Sequence, residues 1–312
     1  MAATDTTLSG YRALTEGCGV VDRSERGKLA LTGPDAKTFL QGQVTNDVEG
    51  LEPGRGCYAA FLTHKGKMLG DLRVLDLGDE LLLDTERSAL QELFNMIRRF
   101  KLGSDVELHK RTLEMGLLSL IGPDSWRVAG ADELPGEHAN ARAEIAGRPV
   151  VLVATDLGAD VFTQAADTDA VRAALDAPNV PEAVAEIVRV ESGRPRYGVD
   201  LDDGVIPQEA GLNQRAVSFT KGCYVGQETV ARLFYRGKPN RQLRGLRLSA
   251  EAAPGDELRL GDKVVGKLGT VAVSPIRGPI ALAIVRREAE PGATVAVGAD
   301  GAPAEVVALP FS

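Results

Sequence analysis

The chain has 312 residues, with 36 Lys plus Arg against 44 Asp plus Glu, a formal charge of −8, 44% hydrophobic and 26% charged residues. This composition excludes chain-wide disorder, gives length for about two domains with a substantial core, and argues against general adhesion to nucleic acid while leaving room for a local basic surface. Cys18, Cys57 and Cys223 are widely spaced and never form a Cys-x-x-Cys pair. With neither an apolar signal core before Gly27 nor a run able to cross a bilayer, a cytoplasmic protein without membrane attachment is expected.

In chain order, Lys28 to Leu31 reads as a strand, and Thr32-Gly33-Pro34-Asp35 as a turn into a helix whose apolar face includes Ala36, Phe39 and Leu40. Cys57 to Leu62 and Met68 to Leu75 flank the polar turn His64-Lys65-Gly66-Lys67 and read as a β-hairpin. The spacing of Ala89, Leu90, Leu93, Ile97 and Phe100 predicts a helix over Thr85 to Phe100, with Arg98, Arg99 and Lys101 at its C-terminal end. Strands are expected at Asp105 to His109, Leu113 to Ile121 and Pro149 to Thr155, the last two bracketing a polar, Ala- and Gly-rich stretch. A helix is expected at Thr168 to Leu175.

Pro181 to Ser192 predicts a helix with Val184, Ile187, Val188 and Glu191 on its core-facing side. A carboxylate there needs partners. The 2-aminopyrimidinone edge of a pterin would supply two parallel N–H donors, and a salt bridge to Arg194 or Arg196 would serve equally well.

Lys221-Gly222-Cys223-Tyr224-Val225-Gly226-Gln227-Glu228 sets a thiol between two glycines, ahead of a short helix marked by Val230, Leu233 and Phe234. A positive helix terminus and Lys221 would both favour thiolate, whereas a small buried structural cysteine is the bland alternative. From Lys221 to Arg247 seven basic residues face one acid, Glu228, which suits either an anionic ligand or a solvated face. From Leu243 to Pro310 short β-rich runs with Pro-Gly and Gly-Asp turns predict a small β-barrel or sandwich. The expected domains are 1–240, two interleaved α+β subdomains, and 241–312, the barrel.

No Gly-x-Gly-x-x-Gly or Gly-Lys-Ser/Thr loop is present, which disfavours oxidoreductase and kinase readings. His64, His109 and His138 lack metal-ligand spacing and read as surface or hairpin residues. Trp126 reads as a core or rim anchor.

Four segments carry a resemblance. Phe39 to Val48 (FLQGQVTNDV), Glu191 to Asp200 (ESGRPRYGVD), Pro207 to Leu212 (PQEAGL) and Lys221 to Arg232 closely resemble the YgfZ family of folate-binding proteins. These are relatives of the glycine-cleavage T-protein, an aminomethyltransferase. The resemblance implies a ring-like, three-part α+β architecture with a C-terminal β-barrel and tetrahydrofolate in a central cavity. It also implies support of iron–sulfur enzymes, with client or assembly proteins as partners, and an effect on tRNA modification. Carried over by position, Glu191 falls where the T-protein glutamate holds the pterin, with Arg194 and Tyr197 in the same folate-binding segment. Cys223 and Lys221 fall on the YgfZ signature, and Asp71 where the T-protein has a pair of acids. Here Gly70 replaces the first acid, which weakens an aminomethyltransferase reading. That activity and a non-catalytic folate-sensing module are the alternatives.

Overall fold

The structure is a computed structural model and describes residues 5–312. Helix α1 (Asp5–Glu16) and strand β1 (Gly19–Asp22) precede β2 (Gly27–Thr32), α2 (Ala36–Gln41), β3 (Gly56–Leu62), β4 (Met68–Asp76), β5 (Leu81–Thr85), α3 (Leu90–Phe100) and β6 (Glu107–Lys110). Then come β7 (Met115–Ile121), α4 (Ser125–Ala129), β8 (Asn140–Ile145), β9 (Arg148–Thr155), β10 (Gly158–Gln164), α5 (Thr168–Ala174), α6 (Glu182–Glu191), α7 (Asn213–Ala216) and α8 (Gln227–Arg236). The last strands are β11 (Arg241–Leu248), β12 (Glu257–Leu260), β13 (Lys263–Ser274), β14 (Gly278–Arg286), β15 (Thr294–Val297) and β16 (Ala302–Val307).

They assemble three β-structures: a sheet of order β3-β4-β5-β2-β6, a second of order β1-β7-β10-β9-β8, and a closed barrel β11-β14-β13-β12-β15-β16. The mixed α/β architecture with its C-terminal barrel is the fold expected. Because β1 joins the second sheet before the first has begun, the two sheets interleave in sequence.

Strand alternation decides what each sheet face does. In the first sheet Ala59, Phe61, Leu72, Val74 and Leu83 point to one side and bury against Leu40, Leu93 and Ile97 of α2 and α3. The opposite side is mixed. Leu75 and Leu82 pack on Leu117, Val153 and Phe162 of the second sheet, and beside that apolar contact the same face turns polar.

Three expectations are corrected. The helix expected from Thr85 starts only at Leu90, because Thr85 ends β5 and its hydroxyl donates to the Asp71 carbonyl inside the sheet. Phe100, expected on the apolar side of that helix, is 40% exposed. The polar stretch after Ile121 also holds α4 and β8, whose alternating half-exposed residues leave little apolar periodicity to read.

Candidate functional site

The polar part of the inter-sheet face borders a cavity of about 190 Å3, half open to solvent. Antiparallel register builds its first wall. Tyr58 on β3 pairs with Arg73 on β4, and Asp71 lies two residues along, so the Tyr58 hydroxyl donates diagonally to Asp71 Oδ2 at 2.6 Å. Arg73 continues across to Asp84 on β5, at 2.7 Å. From the second sheet Ser119 on β7 and Asp160 on β10 are register partners, and Ser119 donates to Asp160 at 2.6 Å. Arg73 bridges the sheets by reaching Asp160 at 2.6 Å. The third wall is Arg194, Pro195, Arg196 and Tyr197, just past α6.

Seven arginines and five acids line this cavity, and most of the charge is paired. Arg26 and Arg73 hold Asp84 well below the usual carboxylate range despite its burial. Arg196 bridges Glu182 and Glu186 at 2.6 and 2.9 Å, and Arg194 meets Asp156 at 2.7 Å. Asp71 differs from the other acids: burial pushes its carboxyl up to about 6, against the Tyr58 hydrogen bond and with Glu86 adding to the rise. Its one side-chain hydrogen bond comes from a phenol. A carboxyl that titrates near neutrality in a cavity is equipped to exchange a proton with a ligand.

His138, expected on the surface, is buried and lines this cavity. Its backbone takes φ +67, unusual for a non-glycine residue. Burial, with Arg73 and Arg215 nearby, brings its imidazole down to about 3, so it is neutral at physiological pH. Its Nδ1 and the Nε of Arg215 are buried there without hydrogen-bond partners. No signal in the sequence pointed to His138, since it sits in an irregular loop without motif spacing. The lining arginines Arg26, Arg73 and Arg215 were missed as well, because each lies outside the four segments that carry the resemblance.

The structure therefore brings Asp71, Arg194 and Tyr197 together on one cavity and leaves Glu191, Lys221 and Cys223 off its walls. Glu191, the last residue of α6, accepts from Tyr11 Oη of α1 at 2.9 Å and from Ser274 Oγ at the end of β13. Neither Arg194 nor Arg196 binds it, and it ties helix to barrel. Cys223 is exposed. Glu191 and Cys223 share no hollow, because the glutamate faces α1 and the barrel while the cysteine stands on a surface loop.

Lys221 fixes that loop. Its ammonium donates to the carbonyls of Gln41, Val44 and Asn46 at 2.6, 2.8 and 2.8 Å, and burial lowers it to about 8 against the pull of Asp47. Its charge is directed at these carbonyls, and α8 begins only at Gln227, four residues past the cysteine. The contact continues inward, since Asn46 Nδ2 donates to the carbonyls of Tyr58 and Arg215, both cavity residues. Thr45 completes the clamp, donating to Ala216 O and accepting from Ala60 N. The Thr45-Asn46 motif thus connects the cysteine loop to the cavity wall.

Comparison with known proteins agrees with this architecture. Residues 2–133 match the GCVT N-terminal domain, and residues 241–312 the glycine cleavage T-protein C-terminal barrel domain. An aminomethyltransferase of Streptomyces avermitilis is 30% identical over 330 residues, covering 96% of this chain and 88% of the relative. The tRNA-modifying protein YgfZ of Photorhabdus laumondii is 30% identical over 253 residues, covering 78% and 76%. The crystal structure of the glycine cleavage system aminomethyltransferase T from Bartonella henselae superposes with a TM-score of 0.87 over 98% of this chain and 89% of that one, at 22% identity. The chain belongs to the glycine cleavage T-protein (GcvT) family.

Proposed function

We propose that this protein binds tetrahydrofolate in the central cavity and, through the exposed thiol of Cys223, supports the assembly or repair of iron–sulfur proteins, affecting tRNA modification through such clients. The observation that carries the reading is the link just described: a cavity with one proton-exchanging carboxyl, Asp71, joined through Asn46 and Lys221 to a loop that displays Cys223 to solvent. The likeness to a protein named YgfZ supports it.

The donor set fits a folate. A cavity of about 190 Å3 has room for a bicyclic head group, and its open side leaves a way out for the benzoyl-glutamate tail. The Asp71 carboxylate, held by the Tyr58 hydroxyl, offers acceptor oxygens to the N–H groups of the ring's amide edge. The unpartnered Arg215 Nε and His138 Nδ1 offer further polar contacts, with Arg194 and Tyr197 at the same wall. Bound folate carries one-carbon units. The chain's own part is to orient the ring through the Tyr58–Asp71 pair, to hold or release a proton at Asp71 Oδ, and to exclude water with the paired arginines. The pterin role expected of Glu191 passes to Asp71, since the Glu191 carboxylate already accepts from Tyr11 and Ser274. Any iron–sulfur cluster is a client's cargo, because ligation normally takes four thiolates.

Aminomethyl transfer is the second reading. The acid at about 6 inside the cavity favours it, as do relatives bearing that name. Ammonia release and methylene-tetrahydrofolate formation with an aminomethylated lipoyl carrier separate the two. The expected outcome is negligible turnover, together with loss of iron–sulfur enzyme activity in cells carrying Cys223→Ala. Robust turnover that survives Cys223→Ala would instead establish the transferase. A Cys223→Ala strain with normal client activity, beside a cavity variant without it, would leave only a folate-sensing module.

A further inference from the structure

A second cavity, of about 250 Å3, lies beside the cysteine loop and is separate from the central one. Its apolar walls are Leu62, Leu69, Met96 and Val225, the last only two residues from Cys223. Gln43 lines it too, and the buried Oε1 of Gln43 has no hydrogen-bond partner. An acceptor without a partner in an apolar slot calls for an incoming N–H.

The surroundings of the slot are mainly basic and apolar, with Glu92 as an acid in its lining. Arg99 lines the slot and lies over the Phe100 ring, 5.4 Å from its centroid. Lys65 stands on the turn whose Gly66 abuts Thr229 of α8. Arg232 and Arg236 follow Thr229 at three- and seven-residue spacing, on the same helical face. Lys65, Arg99, Arg232 and Arg236 are exposed, and none forms an ion pair with another described residue. Against these four cations stand Glu92 in the slot and Glu228 in the first turn of α8, so the local balance is positive in a chain of net charge −8. Phe100 and Leu102 are 40% and 86% exposed at the end of α3. Exposed apolar side chains ringed by arginine mark contact surfaces.

From this arrangement we infer that the groove docks a peptide segment of an acidic protein partner. An apolar side chain of the segment fills the slot, its backbone N–H meets Gln43 Oε1, and flanking carboxylates face Arg99, Arg232 and Arg236. Of these cations only Arg99 lines the slot, together with the acid Glu92, while Leu62, Leu69, Met96 and Val225 give it an apolar wall, an arrangement that takes an aliphatic side chain and does not follow a phosphate backbone. That favours protein over RNA. Docking there brings the partner against Cys223. The inference rests on this surface alone and is independent of what the central cavity holds.

The test uses the full-length protein and a random 12-residue peptide phage library. Enrichment of peptides combining an apolar residue with neighbouring acids is expected. A synthetic consensus peptide, followed by fluorescence anisotropy, should bind wild type and slow iodoacetamide labelling of Cys223. Its affinity should fall about tenfold or more in Arg232→Glu/Arg236→Glu, a variant of exposed positions whose folding is checked by circular dichroism. Met96→Gln should weaken the peptide without altering rim charge. The proposal is overturned if no peptide is enriched, if enriched peptides bind the charge-reversed variant equally, or if they leave Cys223 labelling unchanged. It is equally overturned if polyuridylate outcompetes the peptide, or if sedimentation shows the groove closed by a second copy of the chain.

Discussion

The Nζ of Lys221 lies 2.8 Å from the carbonyl oxygen of Asn46, joining two segments 175 residues apart in sequence. An ammonium has three donors and no acceptor, and here all three meet main-chain carbonyls of the loop after α2. The lysine of the cysteine signature is therefore the fastener of the loop that carries the thiol.

That assignment makes Lys221→Met a stability variant. Removing the ammonium leaves three partly buried carbonyls without their donor, and a loss on the order of 1–3 kcal/mol is expected. Chemical denaturation measures it. The variant should also show faster hydrogen exchange at the amides of Val225 and Ser218, which bond to Gly42 O and Thr45 O.

Gly70 explains why a second acid is missing beside Asp71. A Cβ there would sit 2.5 Å from Phe61 Cζ and 2.7 Å from Ala89 Cβ, both in the core. Gly70→Asp should therefore destabilise the fold by at least about 1–3 kcal/mol through overpacking, read as a lowered denaturation midpoint, and should not create a working acid pair.

Much of this was legible beforehand, and the limits have physical causes. The β3–β4 hairpin, α2, α6 and the barrel announce themselves through periodicity and turn chemistry, and Asp71, Arg194 and Tyr197, all singled out in the sequence, line one cavity. Glu191 was placed on the correct helix, but its partners Tyr11 and Ser274 come from opposite ends of the chain, and no local pattern predicts them. The Thr45-Asn46 motif was recognisable, whereas its use as a clamp on Ala216 and Lys221 depends on tertiary contact. His138 was invisible because a buried neutral imidazole in an irregular loop has no sequence period.

His138 gives a pH signature. The folded imidazole is brought down to about 3, below the unfolded value near 6.5. Between those values the unfolded chain binds the extra proton, so stability falls as pH drops from about 6.5 towards 3. His138→Gln should remove this part of the acid sensitivity, by up to about 1.4 kcal/mol per pH unit within the window. Urea midpoints at several pH values measure it. Asp71 has the opposite sign, since its raised value contributes stability that is lost as pH rises through about 6. Asp71→Asn should flatten that segment.

The three thiols should separate cleanly on alkylation. Cys223 is exposed, while burial pushes Cys57 up to about 12 and Cys18 up to about 11. At neutral pH iodoacetamide should label Cys223 first, as followed by intact mass and peptide mapping. Prior labelling of Cys18 or Cys57 would contradict the placement of the loop.

Calorimetric titration with tetrahydrofolate of wild type, Asp71→Ala and Glu191→Gln bears most directly on the central cavity. Wild type should bind, Asp71→Ala should bind about tenfold or more weakly, and Glu191→Gln should match wild type. Equal affinity in wild type and Asp71→Ala, or loss of binding confined to Glu191→Gln, would contradict the assignment of the folate to this cavity.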